Sequence, residues 1–474
     1  MTAEMQTRNR LSFSTKFFYG LASLGTSTVS SIYGALLPIF YQDYLGLSSK
    51  WIGIASAIYA IWNALNDPIF GFITDNTRSK LGRRIPYMRF TAPFLALTFI
   101  LVWFAPEGVG EITQFWWMLV TMLLYDTAYT IIGLVHGALI PELTESDVER
   151  NQLSISSTLF GLVGYVLGFV LPDLFRPRPG NMHSSLMSLQ MSMIAVGIIC
   201  AFLIILTTLK VKERREFAMV DRKLKFWESL GYTLSNKPFW IFVTMNFLIT
   251  FMMAISTGSL YYLADYVTQT STIMLMVYLF IPMVVGVPVA NLVVKKLGLL
   301  TSQIIYMVIT GIGLMTIGFI PTSLIPISLA ISGLGLSGQQ SITYNILGLV
   351  IDADEIRTGT RREGSFFGAN ALLTKPAQSL ALYLTALILE QSGFITRAVN
   401  NGEILLNQPA AVLFGIRSIV GLIPGIAMLL GAVIILFFPI RGQKLIDLKQ
   451  KILVMHAEKK AMLDAMEAET GMKV

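Results

Sequence analysis

The sequence predicts an all-α membrane protein with about twelve transmembrane helices in two six-helix halves. Three observations predict it. Of 474 residues, 54% are hydrophobic and only 13% charged, about half the charged share of a soluble protein. Apolar stretches of about 20 residues, the length that crosses a bilayer, recur roughly twelve times. The longest charged stretch, Lys210 through Lys225, falls mid-chain and divides six such segments from six, the layout of two parallel repeats.

The elements follow in order. Met1–Thr15 is polar, and the first apolar stretch, Lys16–Tyr44, is too long for a signal h-region and lacks a cleavage site. No signal peptide is expected. Helix 2, Trp51–Asp75, carries an acid at its centre and ends in a basic loop. Helices 3 to 6 are expected over Pro86–Ala105, Phe115–Ile140, Gln152–Phe175 and Leu186–Leu209. After the charged middle come Phe239–Val267, Ile273–Val294, Thr301–Ile320, Ser323–Ile351, Phe366–Leu389 and Ala411–Ile440. The organisation is therefore a 1–15 tail, a 16–209 half, a 210–238 loop, a 239–440 half and a 441–474 tail. In that last tail Leu445, Leu448, Ile452, Met455, Met462 and Met466 recur at helical spacing among Lys and Glu. It reads as an amphipathic helix on the membrane surface or against the bundle. Gly333-Leu-Gly-Leu-Ser-Gly338 lies inside an apolar segment with no preceding strand and reads as close helix packing.

Charge sets the orientation. On one face the loops and tails hold 29 of the 35 Lys and Arg, whereas the opposite loops hold Lys50, Arg176, Arg178 and Arg397. The positive-inside rule places both termini in the cytoplasm of a cell (inner) membrane protein and requires an even number of crossings. The net charge of +7 is thus accounted for without nucleic acid.

Three charges lie inside apolar segments: Asp67, Asp126 and Lys375. An acid there costs about 2.5–3.5 kcal/mol on insertion scales, and such residues usually serve an ion or proton path. Two carboxylates and an ammonium suggest cation-coupled transport. The alternative, in which the three only neutralise one another, stays open. Cys200 reads as a core hydrophobe. His136, in an apolar helix, reads as a satisfied interior residue or a proton shuttle. The sequence has no P-loop and no metal-ligand cluster. Neither an enzyme nor a cofactor is expected.

Two signatures carry a family resemblance. The first is Asn66-Asp67-Pro68, then Asp75-Asn-Thr-Arg78-Ser-Lys-Leu-Gly82-Arg83-Arg84-Ile-Pro86-Tyr87. The second is Asp354-Glu355, Thr358-Gly359, Arg361-Arg362-Glu363-Gly364 and Phe366-Phe367-Gly368, followed by Lys375. The whole membrane portion resembles the glycoside–pentoside–hexuronide:cation symporters of the major facilitator superfamily. The resemblance implies a cation site of Asn63, Asp67, Asp126 and Lys375. Asn63 and Asp67, at i and i+4, share a helix face. The family pattern has a carboxylate where this chain has Asn63, so proton coupling through Asp67 or Asp126 is expected, with Na⁺ coupling through the Asn63 carbonyl still open. Asp75, Arg78, Arg83, Arg84, Arg361 and Arg362 are expected to form a cytoplasmic gate.

The family's charged sugar clamp is replaced by Ser27, Thr130 and Thr158. A neutral polar cavity is expected instead, with Thr26, Ser27, Tyr33, Tyr129, Thr130, Thr158, Tyr261, Gln340 and Tyr344 as solute contacts. The expected activity is symport of a small polar solute, a sugar or glycoside, with H⁺ or Na⁺, by one chain acting as a monomer among membrane lipids. The alternatives are symport of a lysolipid and a non-transporting sensor or scaffold on the same fold.

Overall fold

The computed structural model describes residues 11–76, 81, 84–143, 147–177, 185–211, 234–358, 363–397, 399–400, 405–452 and 454–455. Twelve helical crossings account for nearly all of them. In the first half α1 is Phe13–Pro38 with a π-helical extension Ile39–Tyr44. Then come α2 (Ser49–Asn76), α3 (Ile85–Trp103), α4 (Glu111–Leu143), α5 (Asp147–Phe175) and α6 (Leu186–Lys210). In the second half α7 is Lys237–Tyr262, extended by the π turn Leu263–Thr268. It is followed by α8 (Thr272–Leu297), α9 (Leu299–Thr316) and α10 (Ile325–Thr358). Two crossings are interrupted. α11 consists of Glu363–Thr374 and Pro376–Gln391, and α12 of Ala410–Arg417, the π segment Ser418–Leu422 and Ile423–Leu436.

The interruptions have local causes. Pro376 has no N–H, so the carbonyl four residues back loses its helical partner, although Lys375 keeps helical torsions of φ −56° and ψ −38°. The sequence predicted one continuous helix over Phe366–Leu389; the interruption instead leaves Lys375 at a junction, its N–H still bonded to the Ala371 carbonyl at 3.0 Å. α12 carries Pro424 just after its π segment. α10 runs to Thr358, beyond its predicted end at Ile351.

Nine of the described crossings are long and apolar enough to span a membrane by composition. α1, α2 and α10 fall outside that set because they carry the Ser, Thr, Asn, Asp and Gln side chains of the interior. α1 packs on α5 and α6, and α10 packs on α8 and α9. The halves meet mainly where α1 lies on α7 and where α2 lies on α11. After α12 a further helix covers residues 443–452. Its Leu448 and Ile452 are buried and Leu445 packs against the core, so this part of the tail lies on the bundle. Met462 and Met466 are outside the described residues.

Close packing depends on glycine at two crossings. A Cβ on Gly164 of α5 would sit 2.5 Å from the Leu24 carbonyl oxygen of α1. One on Gly333 of α10 would collide with the Leu279 carbonyl of α8. Backbone cannot move aside as a side-chain tip can. Gly333→Ala should therefore destabilise the fold by about 1–3 kcal/mol, read as a lowered Tm in detergent. Gly348→Ala, where a Cβ meets nothing within 4 Å, should leave the Tm unchanged or raise it.

Candidate functional site

The buried charges converge at the contact between the halves. α2 presents Tyr59, Asn63, Asn66 and Asp67 at spacings of three and four, which align them on one stripe. α4 contributes Asp126 and the α11 junction contributes Lys375. Lys375 Nζ lies 2.7 Å from Asp67 Oδ1, an ion pair that joins the two halves. Both side chains keep partial access, at 22% and 25%. The same ammonium reaches the backbone carbonyl of Asn63 at 3.4 Å.

Asp126 is more deeply buried. Its Oδ1 accepts from the Tyr59 hydroxyl at 3.1 Å, and its Oδ2 accepts from the Asn66 amide at 2.8 Å. Its charge interacts with Lys375 and with Asp67. The two acids thus lie near one another but hold different partners, Lys375 for Asp67 and the Tyr59 and Asn66 side chains for Asp126. Tyr59 and Asn66 were not singled out as site residues from sequence. Their signal was present, since both lie on the Asn63–Asp67 stripe and Asn66 opens the Asn-Asp-Pro motif.

The side-chain oxygens of Asn63 and Asn66 are buried with no hydrogen-bond partner, and so are the hydroxyls of Tyr33 and Tyr125. Buried polar atoms are rarely left unpaired. Here the four lie on α1, α2 and α4, and Asn66 also donates its amide to Asp126. The rings form a ladder: Tyr33 stacks on Tyr125 with centroids 4.3 Å apart, and Tyr125 on Tyr129 at 5.9 Å.

The other expected solute contacts separate. Thr130 is buried. Ser27 points its hydroxyl toward Gly161 of α5. Thr158 is exposed on α5, and Tyr344 is 51% exposed and stacks on Phe367. The side chain of Gln340 lies outside the described atoms. Two of the expected contacts are engaged within the protein. Thr26 donates its hydroxyl to the Ala22 carbonyl of its own helix at 2.9 Å. Tyr261 is fully buried, donates to the Phe169 carbonyl at 3.1 Å and lies 4.2 Å under the Arg176 guanidinium. His136 is a satisfied interior residue: its Nε2 pairs with the Tyr19 carbonyl at 3.1 Å, Tyr19 donates back to the His136 carbonyl at 2.9 Å, and the rings stack at 4.2 Å.

A second charged cluster, unforeseen from sequence, seals the halves at the face opposite the termini. Arg176, after α5, is 0% exposed. It donates to Asp173 at 2.8 Å and across the interface to both oxygens of Asp265, at 2.5 and 2.8 Å. Arg397, in the α11–α12 loop, pairs with Asp43 at the end of α1 at 3.0 Å and with Asp265 at 3.1 Å. Tyr266 donates to Asp43 at 2.6 Å, and Thr272 to Asp173 at 2.9 Å. Backbone ties flank the cluster, with Gln42 donating to the Ala386 carbonyl at 2.7 Å and Tyr262 to the Pro38 carbonyl at 3.1 Å. Of the expected gate on the other face, Arg78, Arg83, Arg361, Arg362 and the side chain of Asp75 lie outside the described atoms. Arg84 is buried and donates to Thr74 at 3.0 Å.

A family model described as MFS/sugar transport protein matches residues 18–442. A symporter of Synechocystis is 26% identical, covering 94% of this chain and 97% of its own. The sodium-dependent lysophosphatidylcholine symporter 1 of Xenopus tropicalis is 24% identical, covering 94% and 90%. Among solved structures, a D-xylose–proton symporter superposes with a TM-score of 0.65 at 14% identity, over 90% of this chain and 97% of its own.

The sealed face makes a direct prediction. Removing the Arg397 guanidinium leaves buried Asp43 without its cation, while Asp265 keeps Arg176; breaking a buried pair costs about 3–5 kcal/mol. Arg397→Ala should therefore shift the protein away from the sealed state. In a Cys200→Ser, Ser259→Cys background, a membrane-impermeant thiol reagent added on the face opposite the termini should label Ser259→Cys faster once Arg397→Ala is present. Unchanged labelling counts against the seal.

Proposed function

The chain belongs to the MFS/sugar transport family and is a cation-coupled symporter of that type, and we propose that it drives uptake of a small uncharged polar solute with one Na⁺ per cycle by alternating access. The observation that carries this reading is the Asp67–Lys375 pair beside Asp126. Two carboxylates and one ammonium leave this site one negative charge in excess. One monovalent cation neutralises it, and only a neutral site is inexpensive to carry through a medium of low dielectric.

The oxygens argue for Na⁺ over H⁺. Asn63 in place of a carboxylate favours a proton. A proton on either acid, however, would leave the amide oxygens of Asn63 and Asn66 buried without partners, which is costly. A hard metal cation uses such oxygens as ligands, as Ca²⁺ and Mg²⁺ do. The Xenopus relative is described as sodium-dependent. In this mechanism Lys375 holds Asp67 when no cation is bound. An arriving Na⁺ competes with the ammonium for the same carboxylate, the α2–α11 tie loosens, and the equilibrium between the two access states shifts by that difference in contact. The seal of Asp43, Arg176, Asp265 and Arg397 closes one access route, and the termini lie in the cytoplasm by charge distribution.

The solute site follows from the tyrosine ladder. Stacked rings with two unpaired hydroxyls offer a flat apolar surface edged by hydrogen-bonding groups, which suits a sugar or polyol. A second reading, a lysophospholipid solute, is supported by the neutral residues Ser27, Thr130 and Thr158 at the clamp positions and by the Xenopus relative.

The test is uptake and counterflow in proteoliposomes with imposed Na⁺ or pH gradients, using labelled sugars, polyols and lysophospholipids. Na⁺-driven uptake is expected. Asp67→Asn and Asp126→Asn should each lower it at least about tenfold, the equivalent of 1.4 kcal/mol in ion binding. Asn63→Asp should raise Na⁺ affinity. Uptake that follows a pH gradient and ignores Na⁺ rejects the sodium assignment. Absence of counterflow for every solute favours the sensor or scaffold reading.

A further inference from the structure

Toward the face opposite the termini, α2 and α11 leave between them a groove of about 670 Å³. Its walls are mostly apolar, with Ile54, Ala57 and Ala60 on one side and Leu380, Tyr383 and Leu387 on the other. Ile54 and Leu380 are about two-fifths exposed, so the groove opens sideways, where a bilayer would lie. Its upper end is at Lys50, and its lower end at Ala60 and Pro376. Ten residues of helix make this about 15 Å deep, half of a hydrocarbon core of about 30 Å. The groove therefore spans one leaflet, from headgroup level to midplane.

The upper end has the chemistry of an interface. Trp51 donates its indole N–H to Glu111 at 3.1 Å, and the Lys50 ammonium lies 5.3 Å from the Trp51 ring centre. Tryptophan and snorkelling lysine mark the membrane–water boundary. Lys50 has no ion pair with any described residue. Its sequence neighbours engage two carboxylates: Trp51 donates to Glu111, and the Ser49 N–H donates to Glu390 at 2.5 Å. One ammonium and two carboxylates near this end match a headgroup that carries a phosphate and an ammonium.

We propose that this groove binds one acyl chain of a zwitterionic phospholipid from the leaflet on that face, with its phosphate on Lys50 and its ammonium toward Glu390 and Glu111. The lipid is a resident of the surrounding bilayer, not the transported solute. Its chain ends beside Pro376, one residue from the Lys375 that holds Asp67. Occupancy thus supports the α2–α11 contact on which the ion pair rests, whichever solute is carried.

The test uses the full chain in phosphatidylglycerol nanodiscs containing a trace of phosphatidylethanolamine with a diazirine at one chain end. After photolysis, label is expected in peptides covering 54–60 and 376–387. Ala57→Phe fills the groove from an exposed position and should abolish label there while leaving it unchanged elsewhere. Lys50→Ala should lower it about fivefold, the value of one basic residue at a lipid surface; Lys50→Arg should retain it. Label spread evenly around the helices and indifferent to Ala57→Phe overturns the site. Label displaced by lysophosphatidylcholine but not by unlabelled phosphatidylethanolamine overturns the assignment to a resident lipid, since the groove would then serve a single-chain solute.

Discussion

A charge inside a bilayer must find its counter-charge within the protein, and among the described residues three ion pairs join the two halves. Asp67 of the first half holds Lys375 of the second. Asp43 of the first holds Arg397 of the second, and Arg176 of the first holds Asp265 of the second. No half is electrically satisfied alone. The interface is thus held by interactions that are strong when paired and costly when broken, and packed interfaces of this kind favour discrete arrangements. The two pairs differ in access: Asp67 and Lys375 retain partial access to solvent, whereas Arg176 has none. On the proposed function, a mobile ion would reach the first pair and compete with it, and the second pair would part only when the helices carrying it move.

The same constraint explains the distribution of polarity. α1, α2 and α10 carry too many polar groups to pass as membrane spans by composition, whereas nine other described crossings do pass. Polar helices are tolerated where neighbours satisfy them. His136 and Tyr19 show how: each binds the other's backbone carbonyl across α1 and α4, and their rings stack. That clasp ties α1 to α4 in the first half.

Much of this was legible because charges in apolar runs are conspicuous. Asp67, Asp126 and Lys375 stood out by their cost, and the helices by their length. The seal was not legible for the converse reason. Asp43, Asp173, Arg176, Asp265 and Arg397 lie at helix ends or in loops, where a charge facing water costs nothing, so their sequence context gives no sign of burial. The partners of Tyr261 were hidden by the same gap, since a tyrosine near a helix end fits a cavity or a seal equally well. The partner of Thr26 was hidden because a hydroxyl in a helix can bond four residues back, which no pattern reveals. Tyr59 and Asn66 were within reach, because the stripe that selected Asn63 and Asp67 passes through both.

The proline in α11 bears on how the lysine is held. Lys375 keeps helical torsions, φ −56° and ψ −38°, and its N–H holds the Ala371 carbonyl; what Pro376 removes is its own N–H. A proline inside a helix is where helices bend, so Pro376 marks the point at which α11 can yield beside the lysine while its two ends stay packed.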